Sequence, residues 1–391
     1  MILVTEGRNV GYTSFGSGWE IARNSSEPML KDKKRVVLWD SNLNGFYSDK
    51  LFWKGHRVVN GFRLGYHMET DPEVCVSLFE NLEIPTPASE IATSVEDLRS
   101  TINDFESEML VVDFDDKELT FNTKDEALSW IEDNYDWLSR RFEPVFKVRE
   151  YIGDADIMCT AWVSERGVWN KALFFSVVAR KELSGDLGVI SNGKYALSWS
   201  PSKGYMINKY TRMIAEWFHQ QRYVGSITVR FTISDNGIPY AISVEPKCRG
   251  IVLHSIFCLV DNHMGMENFL NNLYEGDFDV YPVEQNMYCF ALKITKQYNE
   301  PIAVEDETGS SPPVYVSGDV KIGTLTDNVR VSLDEGGSGV ATICGMADKW
   351  TTAVRDTYSM AKEEIRHPEK EYRDDGIEFL SDKLTKLSKT K

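Results

Sequence analysis

The sequence predicts a multidomain protein of mixed α/β and α+β class, and three observations carry that expectation. A chain of 391 residues is longer than one hydrophobic core organises, so roughly two to four domains of ordinary size are expected. Stretches with apolar residues at helical spacing alternate along the chain with short runs rich in β-branched and aromatic residues. Turn chemistry separates the runs, with Ser234-Asp235-Asn236-Gly237 as its clearest hairpin signal.

Residues 1–5 form an apolar run read as a strand, followed by Gly11, Gly16 and Gly18 and by residues 19–23, read as the start of a helix. A helix start with free N–H groups can bind an anion, but the spacing is not GxGxxG and a plain surface loop explains the glycines better. With short strands expected at 35–39 and 56–60, residues 1–67 read as a small, truncated α/β domain.

Over residues 71–82, Val74, Cys75, Leu78, Phe79 and Leu82 share one helical face, and Ile84-Pro85-Thr86-Pro87 stops the helix. A hairpin over 109–113 and 118–121 and a helix over 125–137 complete a linker and lid region, 68–145. Strands follow at 146–152, 158–163 and 172–179. Met206, Tyr210, Met213, Ile214 and Trp217 then mark a helix over 205–220 with this stripe in the core. A hairpin of 226–233 with 239–244 falls in the same region, 146–285, and delivers Glu245-Pro246-Lys247-Cys248-Arg249-Gly250 to its end. Residues 286–391 read as a β-rich C-terminal domain, with strands at 314–316 and 339–344 and a helix over 351–366.

With 43 Lys plus Arg against 60 Asp plus Glu, the formal charge of -17 repels a phosphate backbone, so nucleic acid is not expected as a partner. The longest apolar runs are far short of a bilayer span, so no membrane partner is expected and the protein is expected in the cytoplasm. The six cysteines are scattered without metal-ligand or redox spacing. Cys258 with His254 is better read as a buried thiol beside a packed imidazole than as a nucleophile pair, and no thiol chemistry is assigned.

Four stretches and the tail, in order, resemble phosphoribosylamine-glycine ligase, a member of the ATP-grasp family. The helix at 71–82 running into Ile84-Pro85-Thr86 is similar to that family's helix before its "GIPT" step. Val148-Arg149-Glu150-Tyr151-Ile152-Gly153-Asp154-Ala155-Asp156 resembles its "EEFLEGEE" strand. Arg180-Lys181, Gly185-Asp186-Leu187-Gly188 and Ser198-Trp199-Ser200-Pro201 resemble its substrate loop, with that loop's Pro, Thr and Met missing. Val244-Glu245-Pro246-Lys247-Cys248-Arg249 resembles "LEFNARFGDPE", and Tyr372-Arg373-Asp374-Asp375-Gly376 resembles the family's "YRRDIG" end.

The resemblance implies an ATP-grasp fold with a small N-terminal α/β domain and a C-terminal β-rich domain. It implies a ligase that makes an acyl phosphate from a small-molecule carboxylate with ATP and magnesium, then couples it to an amine. On that reading the backbone at Glu150 and Ile152 meets adenine, and Asp156, or Asp154, meets the ribose. Glu245 ligates the metal, while Arg180 and Arg249 hold substrate oxyanions.

Three positions depart from the family. Lys247 replaces its second metal ligand, Arg230 stands where some ATP-grasp enzymes keep a metal acid, and Asp113 stands where a phosphate-binding Lys is expected. An ammonium or guanidinium does not ligate a hard cation. Either these cations take over phosphate neutralisation, or the chain is a degraded scaffold that binds a small anion or a protein partner without ligation. Glu245, Lys247, Arg249, Asp156 and Arg180 are expected in one cleft.

Overall fold

The computed structural model describes residues 2–4, 20–22, 36–39, 45–60, 62–114, 117–141, 144–154, 156–183, 187–201, 205–248, 250–296, 302–304, 314–317, 320–325, 328–333, 340–363, 365–366 and 370–391. The N-terminal part is a parallel sheet of β1 (Ile2–Val4), β2 (Glu20–Ala22), β3 (Val36–Trp39) and, after helix α1 (Gly45–Trp53), β4 (Arg57–Val59), in the order β2-β1-β3-β4. Residues 20–22, expected to open a helix, instead pair with β1 from Ile2↔Glu20 to Val4↔Ala22. Three residues cannot offset the cost of a helical nucleus, whereas a sheet edge offers backbone partners at once.

Asn60 fastens this sheet to the rest of the chain. Its N–H donates to the Val224 carbonyl at 2.9 Å, and its Oδ1 accepts from the Ser226 N–H at 2.9 Å. It holds a left-handed φ of 64° to do so.

Helices α2 (Arg63–Thr70) and α3 (Pro72–Asn81) follow, the second capped by Asp71, which accepts from the Glu73 N–H with Pro72 in the first turn. The small sheet is antiparallel, in the order β5 (Ser89–Ala92), β8 (Phe146–Glu150), β6 (Leu110–Phe114) and β7 (Lys117–Phe121). Helices α4 (Val95–Asp104) and α5 (Lys124–Ser139) cover one face, burying Leu98, Ile102 and Ile131 against Val112, Phe146 and Val148. Ser94 and Thr123 cap them by accepting from the N–H groups of Asp97 and Glu126.

Next come β9 (Ile157–Ser164), β10 (Gly167–Val168), β11 (Phe174–Leu183), β12 (Leu187–Trp199), α6 (Met206–Gln220), β13 (Gly225–Ile233), β14 (Pro239–Glu245), α7 (Gly250–His263) and α8 (Met266–Glu275). The tail adds β15 (Tyr288–Lys296), β16 (Ile302–Val304), β17 (Val314–Ser317), β18 (Val320–Leu325), β19 (Asn328–Leu333) and β20 (Val340–Ala347). It ends with α9 (Trp350–Glu363), β21 (Ile365–Arg366), β22 (Lys370–Glu371) and α10 (Gly376–Ser388).

Among the described residues, ten of these strands make one large sheet along the path β14-β13-β9-β11-β12-β15-β20-β17, with β10 beside β9 and β22 beside β15. The expected strands at 158–179 and 226–244 therefore share one sheet. Strands β18, β19, β16 and β21 form a separate sheet.

Alternation along β9 shows how the large sheet is buried on both faces. Ile157, Cys159, Ala161 and Val163 lie in one apolar layer with Ile207, Tyr210, Ile214 and Phe218 of α6 and with α9 and α10, while Met158 and Trp162 pack with α7 and α8. The core face of α6 is thus turned from the expected stripe: Tyr210 and Ile214 are in it, Met213 and Trp217 are half-buried at its margin, and Met206 is 42% exposed. Helix α7 is buried continuously from Ile251 to Val260, with His254 and Ser255 among its apolar residues, and so carries no amphipathic period for a sequence reading to detect. The helix expected over 351–366 ends at Glu363, and Ile365 and Arg366 turn into a strand that pairs with β16. The stretch expected as a substrate loop is largely a β11–β12 hairpin, paired out to Leu183↔Leu187, with Gly185 and Asp186 outside the described residues. No helix among the described residues is long and apolar enough to cross a membrane.

Candidate functional site

Strand β8 places Phe146 and Val148 in the core beneath α4 and α5, so Lys147 and Arg149 leave from the opposite face. In the β6–β8 register Asp113 faces Lys147, and in the β6–β7 hairpin Asp113 faces Glu118. The small sheet thus presents a charged face made of alternating residues from three strands.

The large sheet meets it with Arg180 on β11 and Arg230 on β13. Each sits at a pairing irregularity, between Ala179 and Lys181 on β11 and between Arg230 and Phe231 on β13. Such bulges re-aim a side chain out of the regular ladder.

Glu118 is where the two sheets join. Its Oε1 accepts from Arg149 Nη2 at 2.7 Å, and its Oε2 accepts from both Arg180 Nη1 and Arg230 Nη2 at 2.7 Å. Arg149 Nε donates to Asp113 Oδ2 at 2.9 Å. Arg149 is 1% exposed, so this is a desolvated cluster rather than a surface ion pair.

Burial opposes ionisation of Glu118, yet Arg230, Arg149 and Arg180 outweigh it and hold the carboxyl well below the usual range. Burial also works against Arg230, whose pKa is nonetheless raised by Glu118 and Glu245. Arg180 is pushed down, by burial first and by Arg230 second, against the pull of Glu118 and Glu245. Lys147 is pushed down by burial and donates to the Ile242 carbonyl at 3.4 Å.

No protein-family model matches the sequence, and no curated protein matches it. Solved structures do. Phosphoribosylamine-glycine ligase from Thermotoga maritima superposes with a TM-score of 0.72 at 14% identity, covering 95% of this chain and 99% of that one. The biotin carboxylase domain of Hydrogenobacter thermophilus 2-oxoglutarate carboxylase, solved with MgADP, ADP and bicarbonate, gives 0.62 at 11% identity over 93% and 90% of the two chains. L-amino acid ligase from Bacillus licheniformis gives 0.60 at 10% identity over 94% and 98%. The chain has the ATP-grasp fold.

Within this ATP-grasp fold, the residues singled out in the sequence lie as follows. Arg180, Arg230 and Glu245 belong to one electrostatic cluster, Glu245 acting on both arginines from the end of β14. Lys247 is buried in the turn after β14, and Arg249 lies outside the described residues. The backbone N–H of Glu150 donates to Ala88 O at 2.9 Å, and Ile152 follows β8, half-buried. Asp156 is buried and paired with Lys383 of α10 at 2.7 Å, while Asp154 lies 3.9 Å from the same ammonium and accepts from the Tyr151 hydroxyl at 3.3 Å.

Asp113, where the resemblance led to the expectation of a Lys, holds Arg149. The sequence reading did not single out Glu118, Lys147, Arg149 or Lys383 as site residues. A signal existed for the first three: charged residues alternate with apolar ones on strands that bury their other face, and two acids oppose each other in one hairpin register.

A magnesium ion does not suit this arrangement. A hard cation needs several oxygen ligands, and both oxygens of Glu118 are engaged by guanidiniums. Glu245 is left as the carboxylate at the end of β14, with Arg230 and Arg180 within its electrostatic reach. These groups suit an oxyanion, because planar guanidiniums bind carboxylate and phosphate oxygens through charge-assisted hydrogen bonds.

Proposed function

We propose that this chain is a divergent ATP-grasp protein of the carboxylate-amine ligase type. On this reading it acts on small-molecule substrates in the cytoplasm and takes their phosphate or carboxylate oxygens on guanidinium groups in place of magnesium. The observation that carries the reading is the convergence of Arg149, Arg180 and Arg230 from two sheets on one point. Acyl-phosphate chemistry gathers negative charge on phosphoryl oxygens, and preorganised cations at that point are what stabilises it. Arg180 and Arg230 would take those oxygens and Arg249 those of the substrate. Glu245 would orient the two arginines rather than a metal. The backbone at Glu150 and Ile152 would meet adenine, and Asp156, once parted from Lys383, the ribose.

A second reading, binding without ligation, is favoured by the engagement of Glu118 and Asp156 with this chain's own cations. Calorimetry with ATP, with and without magnesium, together with ADP release in the presence of amino acids and amines, tests both. Binding of similar strength with and without magnesium, lost in Arg230→Met, is expected. ADP release then selects ligation and its absence selects binding alone. Binding that requires magnesium would overturn the metal-free site.

A further inference from the structure

The three guanidiniums stand on interior strands, and the carboxylate they share stands on an edge strand. Arg149 is on β8, between β5 and β6; Arg180 is on β11, between β9 and β12; Arg230 is on β13, between β9 and β14. Each is thus held on an interior strand. Glu118 is on β7, the edge strand of the small sheet, which among the described residues pairs only with β6. An edge strand with one partner separates from its neighbours more readily than an interior one.

The contact geometry is that of a ligand. Two carboxylate oxygens take three N–H donors, all at 2.7 Å, from strands that belong to different sheets. Glu118 cannot simply leave, because Asp113 and Glu245 would then be the acids left near the cluster, against the buried cations Arg149, Arg180, Arg230 and Lys147, and Arg180 and Arg230 already repel each other. Asp113 could not replace it, being engaged with Arg149 Nε. The charge left behind must be met by another anion in the same step.

We propose that Glu118 is a built-in occupant of an oxyanion site, exchanged for a phosphate group of the ligand, and that this exchange releases β7 from the large sheet. The ligand class is an oxyanion with at least three oxygens, which offers one to each guanidinium where the carboxylate must share. The inference rests on the reading that this site takes oxyanions, and it makes β7 the element whose position reports occupancy.

The test uses the full chain and inorganic phosphate as the probe, titrated calorimetrically, with metal-free ATP as a second arm. Glu118→Gln keeps the size of the side chain and removes its charge, and it is expected to bind phosphate at least about tenfold tighter than the wild type. Glu118→Asp, which withdraws the carboxylate by one methylene, should fall between them and serves if Glu118→Gln does not fold. In the wild type, phosphate should increase proteolytic cleavage in the 109–121 hairpin. Equal phosphate affinity in wild type and both variants would overturn the occupant while leaving the oxyanion reading intact. No phosphate or ATP binding by folded Glu118→Gln or Glu118→Asp would overturn both.

Discussion

Glu118 on β7 and Arg230 on β13 are 112 residues apart in sequence and meet at 2.7 Å, so one hydrogen bond ties the edge of the small sheet to the interior of the large one. Truncating Glu118 strands the guanidiniums that share it, so Glu118→Ala should cost about 3–5 kcal/mol of stability, whereas Arg230→Met leaves Glu118 held by Arg149 and Arg180 and should cost less. The double variant should cost less than the sum by about 1–3 kcal/mol, measured by denaturant unfolding. Strict additivity would mean that the pair is not coupled in solution.

His254 predicts a pH dependence. Burial first, and Lys293 second, push its pKa down to about 4. The unfolded chain protonates this imidazole near ~6.5, so below that pH the unfolded state binds a proton that the folded state refuses. Its contribution is therefore complete above about 6.5 and declines by about 1.4 kcal/mol per pH unit down to about 4. The stability difference between wild type and His254→Gln, followed by urea titrations at each pH, should show that slope. A flat difference across the window would contradict a buried neutral imidazole.

Lys383 neutralises Asp156, a carboxylate that is 6% exposed. Lys383→Met should lower the unfolding free energy by about 3 kcal/mol, because it leaves that charge buried and without its ammonium. Adding Asp156→Asn should restore part of the loss, since the second substitution removes the charge that the first stranded. Thermal unfolding of the three variants decides the matter; a double variant less stable than Lys383→Met would argue against the pairing.

Gly225 holds a φ of +149°, and a Cβ built on it would lie 2.3 Å from Asn60 Oδ1 and 2.8 Å from Asn60 N. Gly225→Ala must displace Asn60, whose hydrogen bonds with Val224 and Ser226 anchor β4 to the start of β13. A loss of about 3 kcal/mol or more is expected, with earlier proteolysis of the N-terminal region than in the wild type. Unchanged stability would show that Asn60 is not the fastening.

Much of the large sheet was legible because its strands, buried on both faces, are runs of β-branched and aromatic residues, and because its hairpin carries Asp235-Asn236-Gly237. Helix α6 was legible because one of its faces is apolar and the other polar. Helix α7 was not, since burial on every side erases the contrast that periodicity depends on. Strand β2 was missed because three residues carry almost no local signal and are fixed by the strand beside them. At the site, the departures at Arg230 and Asp113 could be read as charge reversals. Their partners could not, because Glu118 answers Arg230 across a sequence distance that no local pattern spans.

The large sheet also decides how far this protein can be taken apart. Strand β12 pairs with β15 over five residues, from Tyr195↔Leu292 to Trp199↔Tyr288, and β15 in turn pairs with β20 over eight. A fragment ending at residue 285 would therefore keep Arg180, Arg230 and Glu118 but expose the outer edge of β12. It would also lose α9 and α10, which cover one face of the sheet, and with α10 the ammonium that answers Asp156. Open strand edges template association with other chains. The tail is thus not a removable module, and the smallest fragment that holds the site in a soluble form should extend through α10.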